Sequence, residues 1–138
     1  MTRDEVIAFI QEIHFGYLAT VDADNTPCVR PLGIYNVYGD DVYFFTFSIL
    51  PKCTEIEANP NVEVVWANLD KMSQVRLKGK AVVVEDEDMK KHFIEDNPMV
   101  TKVLPPGGEQ LFRLYKIQPT KVSVAEGLVP YTEVAWYS

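Results

Sequence analysis

The segment FFTFSILPK, from Phe44 to Lys52, joins an apolar run to two groups suited to an anion: a hydroxyl at Thr46 and an ammonium at Lys52. Lys52 follows Pro51, and proline at the first helical position marks a helix start. The amine therefore stands where free backbone N–H groups and the positive end of the helix dipole already favour negative charge. Arg30, on a β-rich run upstream, adds a planar guanidinium whose fork matches phosphate oxygens. The three residues predict a site for one small phosphate. The competing reading is a pair of solvated cations at element ends, which contribute little.

Other chemistries lack their residues. The carboxylate groups Asp22/Asp24, Asp40/Asp41 and Asp86 to Asp88 fall in turns or at helix starts, where acids cap backbone amides instead of sharing a cleft. His14 and His92 have no serine or cysteine at a spacing that would make a nucleophile and base, so no triad is assigned. No GxGxxG or Walker pattern occurs, which excludes a phosphate site built on glycines. Cys28 and Cys53 form no CxxC and read as reduced thiols; no metal site is expected. With a net charge of -7, the chain repels a phosphate polymer, so nucleic acid is not an expected partner. No apolar run approaches the ~18 residues of a membrane span, and MTRDEVIAF is too charged for a signal peptide. The expected compartment is the cytoplasm.

At 138 residues, 47% hydrophobic and 24% charged, the chain reads as one globular domain, residues 1–138. Thr2 and Glu5 form a capping-box pattern ahead of Val6, Phe9, Ile10 and Ile13, predicting a first amphipathic helix. FGYLATV, VRPLGIYNVY and DVYFFTF are β-branched and aromatic runs separated by turn residues, the pattern of a meander. Pro31 implies an edge or bulge in the second run. Pro51 and Asn59-Pro60 bound a helix of about two turns, and NVEVVWANL follows as a strand. In QVRLKGKAVVV, Val75, Leu77, Ala81 and Val83 alternate with Gln74, Arg76, Lys78 and Lys80, one face buried and the other polar. DEDMKKHFIEDN predicts a surface helix with Asp86/Lys90 and Glu87/Lys91 ion pairs. PPGG is a loop, after which QLFRLYKI and TKVSVAE give a long or broken last strand. About six strands and three short helices joined by tight turns predict a mainly β fold, an antiparallel barrel.

Five segments in this order resemble the flavin-binding split-barrel family of pyridoxamine 5'-phosphate oxidase: FGYLATV, PCVRPLG, VYFFT, PK with ANP closing the helix, and SQVRLKG. The resemblance covers Phe15 to Val84 and implies a six-stranded antiparallel split β-barrel that binds FMN at the interface of a homodimer. It implies that Arg30, Pro31, Leu32 and Gly33 line the flavin and its phosphate. Phe45 and Thr46 would add backbone and hydroxyl contacts, Lys52 would bind phosphate, and Gln74 would reach the cofactor from its strand. Pro51 belongs to the same contact stretch, although the oxidase carries an arginine there; Tyr35 likewise stands where the oxidase has a lysine. Trp136 is expected to stack on or cover the flavin, with packing on its own barrel as the alternative. A strand apolar on both faces, VYFF, argues for the dimer as well, because one small core would leave part of it uncovered.

The resemblance implies an FMN-dependent oxidoreductase with a small-molecule electron donor or acceptor. GLVPYTEVAWYS has no Arg, Lys or His where the oxidase holds its substrate's phosphate, so vitamin B6 oxidation itself is not expected. The alternative is an FMN-binding protein that carries electrons, stores flavin or senses redox state. Haem on the same barrel is a third reading, opposed by the lack of a strand histidine.

Overall fold

Thr2 caps the first helix as its spacing predicts. In the computed structural model, which describes residues 1–137, the Thr2 hydroxyl accepts from the Glu5 amide and the Glu5 carboxylate accepts from the Thr2 amide. The helix, α1 (Arg3–Glu12), buries Val6 and Ile10. A hairpin follows, β1 (Gly16–Val21) and β2 (Pro27–Leu32), whose turn is held by the Asp22 carboxylate accepting from the amides of Asp24 and Thr26. A second hairpin pairs β3 (Tyr35–Tyr38) with β4 (Asp41–Phe47) through Gly39, whose φ of 61° is open to glycine at no steric cost. Then come α2 (Pro51–Ala58), β5 (Asn61–Asn68), β6 (Ser73–Val83), α3 (Glu87–Asp96), α4 (Met99–Val103), β7 (Phe112–Glu126) and β8 (Thr132–Val134). No helix among the described residues is long and apolar enough to cross a membrane.

All strand pairs are antiparallel, in the order β2-β1-β5-β6-β7-β4-β3, with β8 on β7 beyond the end of β4. The fold is mainly β, a curled half-barrel, as expected. Eight strands replace the expected six for two local reasons. The run Val29–Tyr38 breaks at Gly33-Ile34, and its two parts lie at opposite ends of the sheet order, so the reading of one meander is corrected to two hairpins joined by a crossover. The three residues of β8 are too few to show an alternation. Pro31 does fall on an edge strand, where a missing N–H leaves no interior ladder broken. In α3, Asp86 caps the helix by accepting from the Asp88 and Met89 amides, and Lys90 pairs with Glu87 at 3.2 Å instead of with Asp86.

Two cores result. Inside the curl, Leu18, Phe44, Trp66, Leu77 and Ile117 pack with Val6 and Ile10 of α1 and Cys53 and Ile56 of α2. On the opposite face of β4, Tyr43 and Phe45 join Leu114 beneath Phe93 of α3 and Val100 of α4. The chain's own helices thus cover the second face of VYFF, which removes that strand as the reason for a dimer. Exposed apolar side chains lie elsewhere, among them Phe15, 46% exposed, Tyr17, 43%, and Val29, 69%, beside or on the β2-β1 flank.

β7 leaves no room for a side chain at Gly79 of β6, where a Cβ would meet the Gln118 carbonyl oxygen and Ile117 Cγ2. Gly79→Ala is expected to lower stability by about 1–3 kcal/mol, the cost of overpacking against backbone. Urea denaturation measures it, and an unchanged midpoint would contradict the close approach.

Candidate functional site

α2 packs on the inner core through Cys53 and Ile56; of the three residues singled out for a phosphate, Lys52 lies in its first turn and Arg30 bonds to its Glu55. β4 alternates Val42, Phe44 and Thr46 inward with Tyr43 and Phe45 outward, so Thr46 faces the inner side. Its hydroxyl is buried, at 3% exposure, and has no hydrogen-bond partner among the described residues. A buried hydroxyl without a partner is costly, and one in a folded chain needs a reason. Three residues after β4 ends, α2 begins with Pro51 at its first position and Lys52 next to it. Lys52 is half-buried and forms no ion pair among the described residues. Burial first, and then the charge of Arg30, push its amine below the usual lysine range.

Arg30 reaches α2 through a network the sequence did not reveal. Its register opposite Leu18 turns it to the side of Leu18 and Thr20. One guanidinium nitrogen donates to the Thr20 hydroxyl at 2.7 Å, and the other to Glu55 of α2 at 2.9 Å. Thr20 also donates to Glu55 at 2.7 Å. That bond, and the charge of Arg30, hold the Glu55 carboxyl below the ordinary range. Arg30 is thus already paired with a carboxylate, and Lys52 is the cation of the three residues with no ion pair among the described residues. Glu55 lies one helical turn beyond Lys52, yet its partners come from β1 and β2, and no local spacing announces such a contact.

Two more polar groups lie against α2. Arg113, opposite Thr46 on β7, pairs with Glu57 of α2 at 3.3 Å. Tyr115 is buried with its hydroxyl unpartnered among the described residues. Burial, and then the neighbouring Cys53 thiol, push that phenol up to about 12.

The other expected residues divide by face. Leu32 is core, at 2% exposure. Pro31 and Gly33 are exposed where the chain leaves the edge strand, and the space a side chain at Gly33 would take is open. The Phe45 ring stacks on Phe112, 5.3 Å between centroids, on the side away from Thr46, while its amide donates to the Ile34 carbonyl. Gln74 stands on the outer face of β6, where its Oε1 accepts from the Tyr131 hydroxyl. Trp136 is only 4% exposed: its Nε1 donates to the Asp40 carbonyl at 2.8 Å, and the Arg3 guanidinium lies over its ring at 5.1 Å. The packing alternative holds for Trp136, because α1 and the Gly39-Asp40 turn enclose it. The structure thus brings Arg30 and Lys52 together at α2, turns Thr46 to the inner side of β4, and leaves Gln74 on the outer face and Trp136 in the core.

The family model described as "Pyridoxamine 5'-phosphate oxidase" matches residues 2–124. A pyridoxine/pyridoxamine 5'-phosphate oxidase of Leptospira interrogans is 34% identical over 93 residues, 66% of this chain and 42% of the relative, so the chain spans less than half the length of that protein. Among solved structures, a NimC/NimA family protein from Clostridium acetobutylicum superposes with a TM-score of 0.78 at 21% identity, covering 95% of this chain and 92% of the other. The general stress protein 26 of Bacillus anthracis gives 0.77 at 24% identity, covering 95% and 97%. At these identities the structural likeness carries the fold.

Proposed function

The chain belongs to the pyridoxamine 5'-phosphate oxidase family, and on that premise we propose that it is an FMN-binding oxidoreductase of the cytoplasm, working as a homodimer on a small-molecule electron donor or acceptor. The observation that carries the reading is the pairing of an orphaned buried hydroxyl, Thr46, with an uncompensated half-buried amine, Lys52, at the N-terminus of α2. A phosphate there would accept from Thr46 and neutralise Lys52 at the positive end of the α2 dipole. Arg30, fixed by Thr20 and Glu55, supplies a positive wall and leaves part of its guanidinium free. Pro31 and Gly33, exposed where the chain leaves β2, allow a ring to approach the backbone.

FMN, when bound, supplies hydride or electron transfer. The chain's part is to bind and orient it. Gln74 offers an amide to a ring edge from the outer face, opposite to the side of Thr46. One flavin touching both sets of residues therefore calls for two chains, which the exposed Phe15, Tyr17 and Val29 would bring together. Light scattering of the FMN-loaded protein is expected to give about twice the 15.7 kDa of one chain; a monomer at micromolar concentration contradicts the dimer.

Affinity for FMN against riboflavin tests the phosphate site directly. FMN is expected to bind more tightly by at least the ~1.5 kcal/mol of one charge-assisted bond, and equal affinities would remove the assignment. A second reading, FMN binding without turnover, is favoured by one observation: Glu55, the one carboxylate on α2 facing Arg30, is committed to Thr20 and Arg30 and is no free base. Bleaching of the bound flavin by reduced nicotinamides supports the oxidoreductase, and its failure with every donor supports the binding protein. Gly127–Tyr137 offers no cation for a substrate phosphate, so no formation of pyridoxal 5'-phosphate from pyridoxamine 5'-phosphate and oxygen is expected.

A further inference from the structure

A groove away from α2 gathers three cations, of which only Arg76 is closely paired. Lys78 of β6 and Lys121 of β7 stand directly opposite each other in the antiparallel register, an arrangement that brings like charges to neighbouring positions on one face and disfavours the strand pair. Lys78 has only a loose contact with Glu63, at 3.9 Å, and Lys121 forms no ion pair among the described residues. Arg76, two residues earlier on the same face, is held by Glu63 at 2.9 Å and lies 4.9 Å from the Tyr131 ring centroid. Arg76, Lys78, Lys121, Ser123, Tyr131 and Glu133 line a groove of about 290 Å³.

The fold fixes this pair in place. The register shifts between Lys78 and Gly79, with Thr120 as the extra residue in β7, and the Thr120 hydroxyl donates to the Lys78 carbonyl at 3.2 Å. A bulge of this kind re-aims the side chains beside it. The bare Gly79 lets the strands close at that point. Two lysines held face to face, in a chain whose net charge is -7, form a local reversal of the prevailing charge.

We propose that this groove binds the phosphate group of a small phosphorylated molecule, separately from the site at Lys52. A phosphate monoester carries about -1.5 to -2 charge near neutral pH, which the loosely paired Lys78 and the Lys121 amine match. The Ser123 hydroxyl and the N–H groups of Arg76 left over by Glu63 donate to the remaining oxygens. Glu133, the carboxylate in the lining, opposes an anion there. The inference holds whether or not the chain binds flavin.

Calorimetry with inorganic pyrophosphate, on the purified full chain at physiological salt and with saturating FMN present, tests it. Lys78→Ala and Lys121→Ala are each expected to weaken pyrophosphate about tenfold, the loss of one charge-assisted contact. Glu133→Gln is expected to tighten it, and Lys102→Ala, on α4, to leave it unchanged. Both lysine variants remove a like-charge pair, so each should fold at least as well as the parent. The proposal is overturned if no binding is seen, if Lys102→Ala costs as much as Lys121→Ala, or if FMN displaces pyrophosphate, which would assign the anion to Lys52.

Discussion

Lys52→Met is expected to weaken FMN by about 1.5 to 3 kcal/mol, the range for a hydrogen bond to a charged group, while raising the stability of the flavin-free protein. The two signs follow from one geometry. In the free protein the amine is half-buried beside Arg30 with no carboxylate among the described residues, and both burial and the neighbouring charge disfavour its protonated form. Methionine keeps the length of the side chain and removes that charge. With a phosphate present, the same amine becomes the nearest compensated cation, so its loss costs affinity and flattens the salt dependence of binding.

The pH dependence carries the same information. A lysine whose folded pKa lies below the unfolded 10.5 binds fewer protons in the folded state through the interval between them. Stability therefore rises with pH across that interval, and the difference between parent and Lys52→Met should narrow as the amine loses its proton. Lys90→Ala, whose amine is paired with Glu87 on α3, serves as the control. Flavin titration and thermal denaturation at several alkaline pH values read both effects; a Lys52→Met protein with the affinity of Lys90→Ala would make Lys52 an ordinary surface residue.

Which parts of this were legible in the sequence follows from the range of the interactions. The capping box at Thr2, the start of α2 at Pro51 and the alternation of Val75, Leu77 and Ala81 are set by neighbours a few residues apart and appear where their spacing places them, whereas Val83, read as buried with them, is exposed at the end of β6. Thr46 and Lys52 were legible for the same reason, since only the turn between β4 and α2 separates them. Glu55 was not: what makes it matter is Arg30, 25 residues away, and Thr20, 35 away, brought to it by the curl of the sheet. The same holds for the covering of Phe45 by Phe93 and Val100, which changed the meaning of VYFF from a surplus apolar face to a second core. Trp136 was ambiguous in sequence because an aromatic near a chain's end carries no periodicity, and its partner Asp40 lies 96 residues upstream.

Two buried threonines separate a hydroxyl satisfied within the fold from one that is not. Thr20, at 1% exposure, donates to Glu55 and accepts from Arg30, both at 2.7 Å; Thr46, at 3%, does neither with any described residue. Valine has nearly the same shape as threonine and lacks the hydroxyl. Thr20→Val removes two bonds to charged groups and leaves Glu55 and Arg30 with fewer partners, so it is expected to destabilise the protein by about 1.5 to 3 kcal/mol. Thr46→Val removes an unsatisfied group, so the flavin-free protein should gain about 1 kcal/mol. With FMN the order reverses for Thr46 alone: a hydroxyl that donates to a phosphate oxygen is worth about 1.5 to 3 kcal/mol, and its loss should weaken FMN by roughly 10- to 150-fold while riboflavin is unaffected. Chemical denaturation of the flavin-free variants and fluorescence titration with both flavins give the four quantities. A Thr46→Val protein that is less stable than its parent and binds FMN as well would mean that the hydroxyl is satisfied within the fold, and the phosphate would then have to sit elsewhere than between β4 and α2.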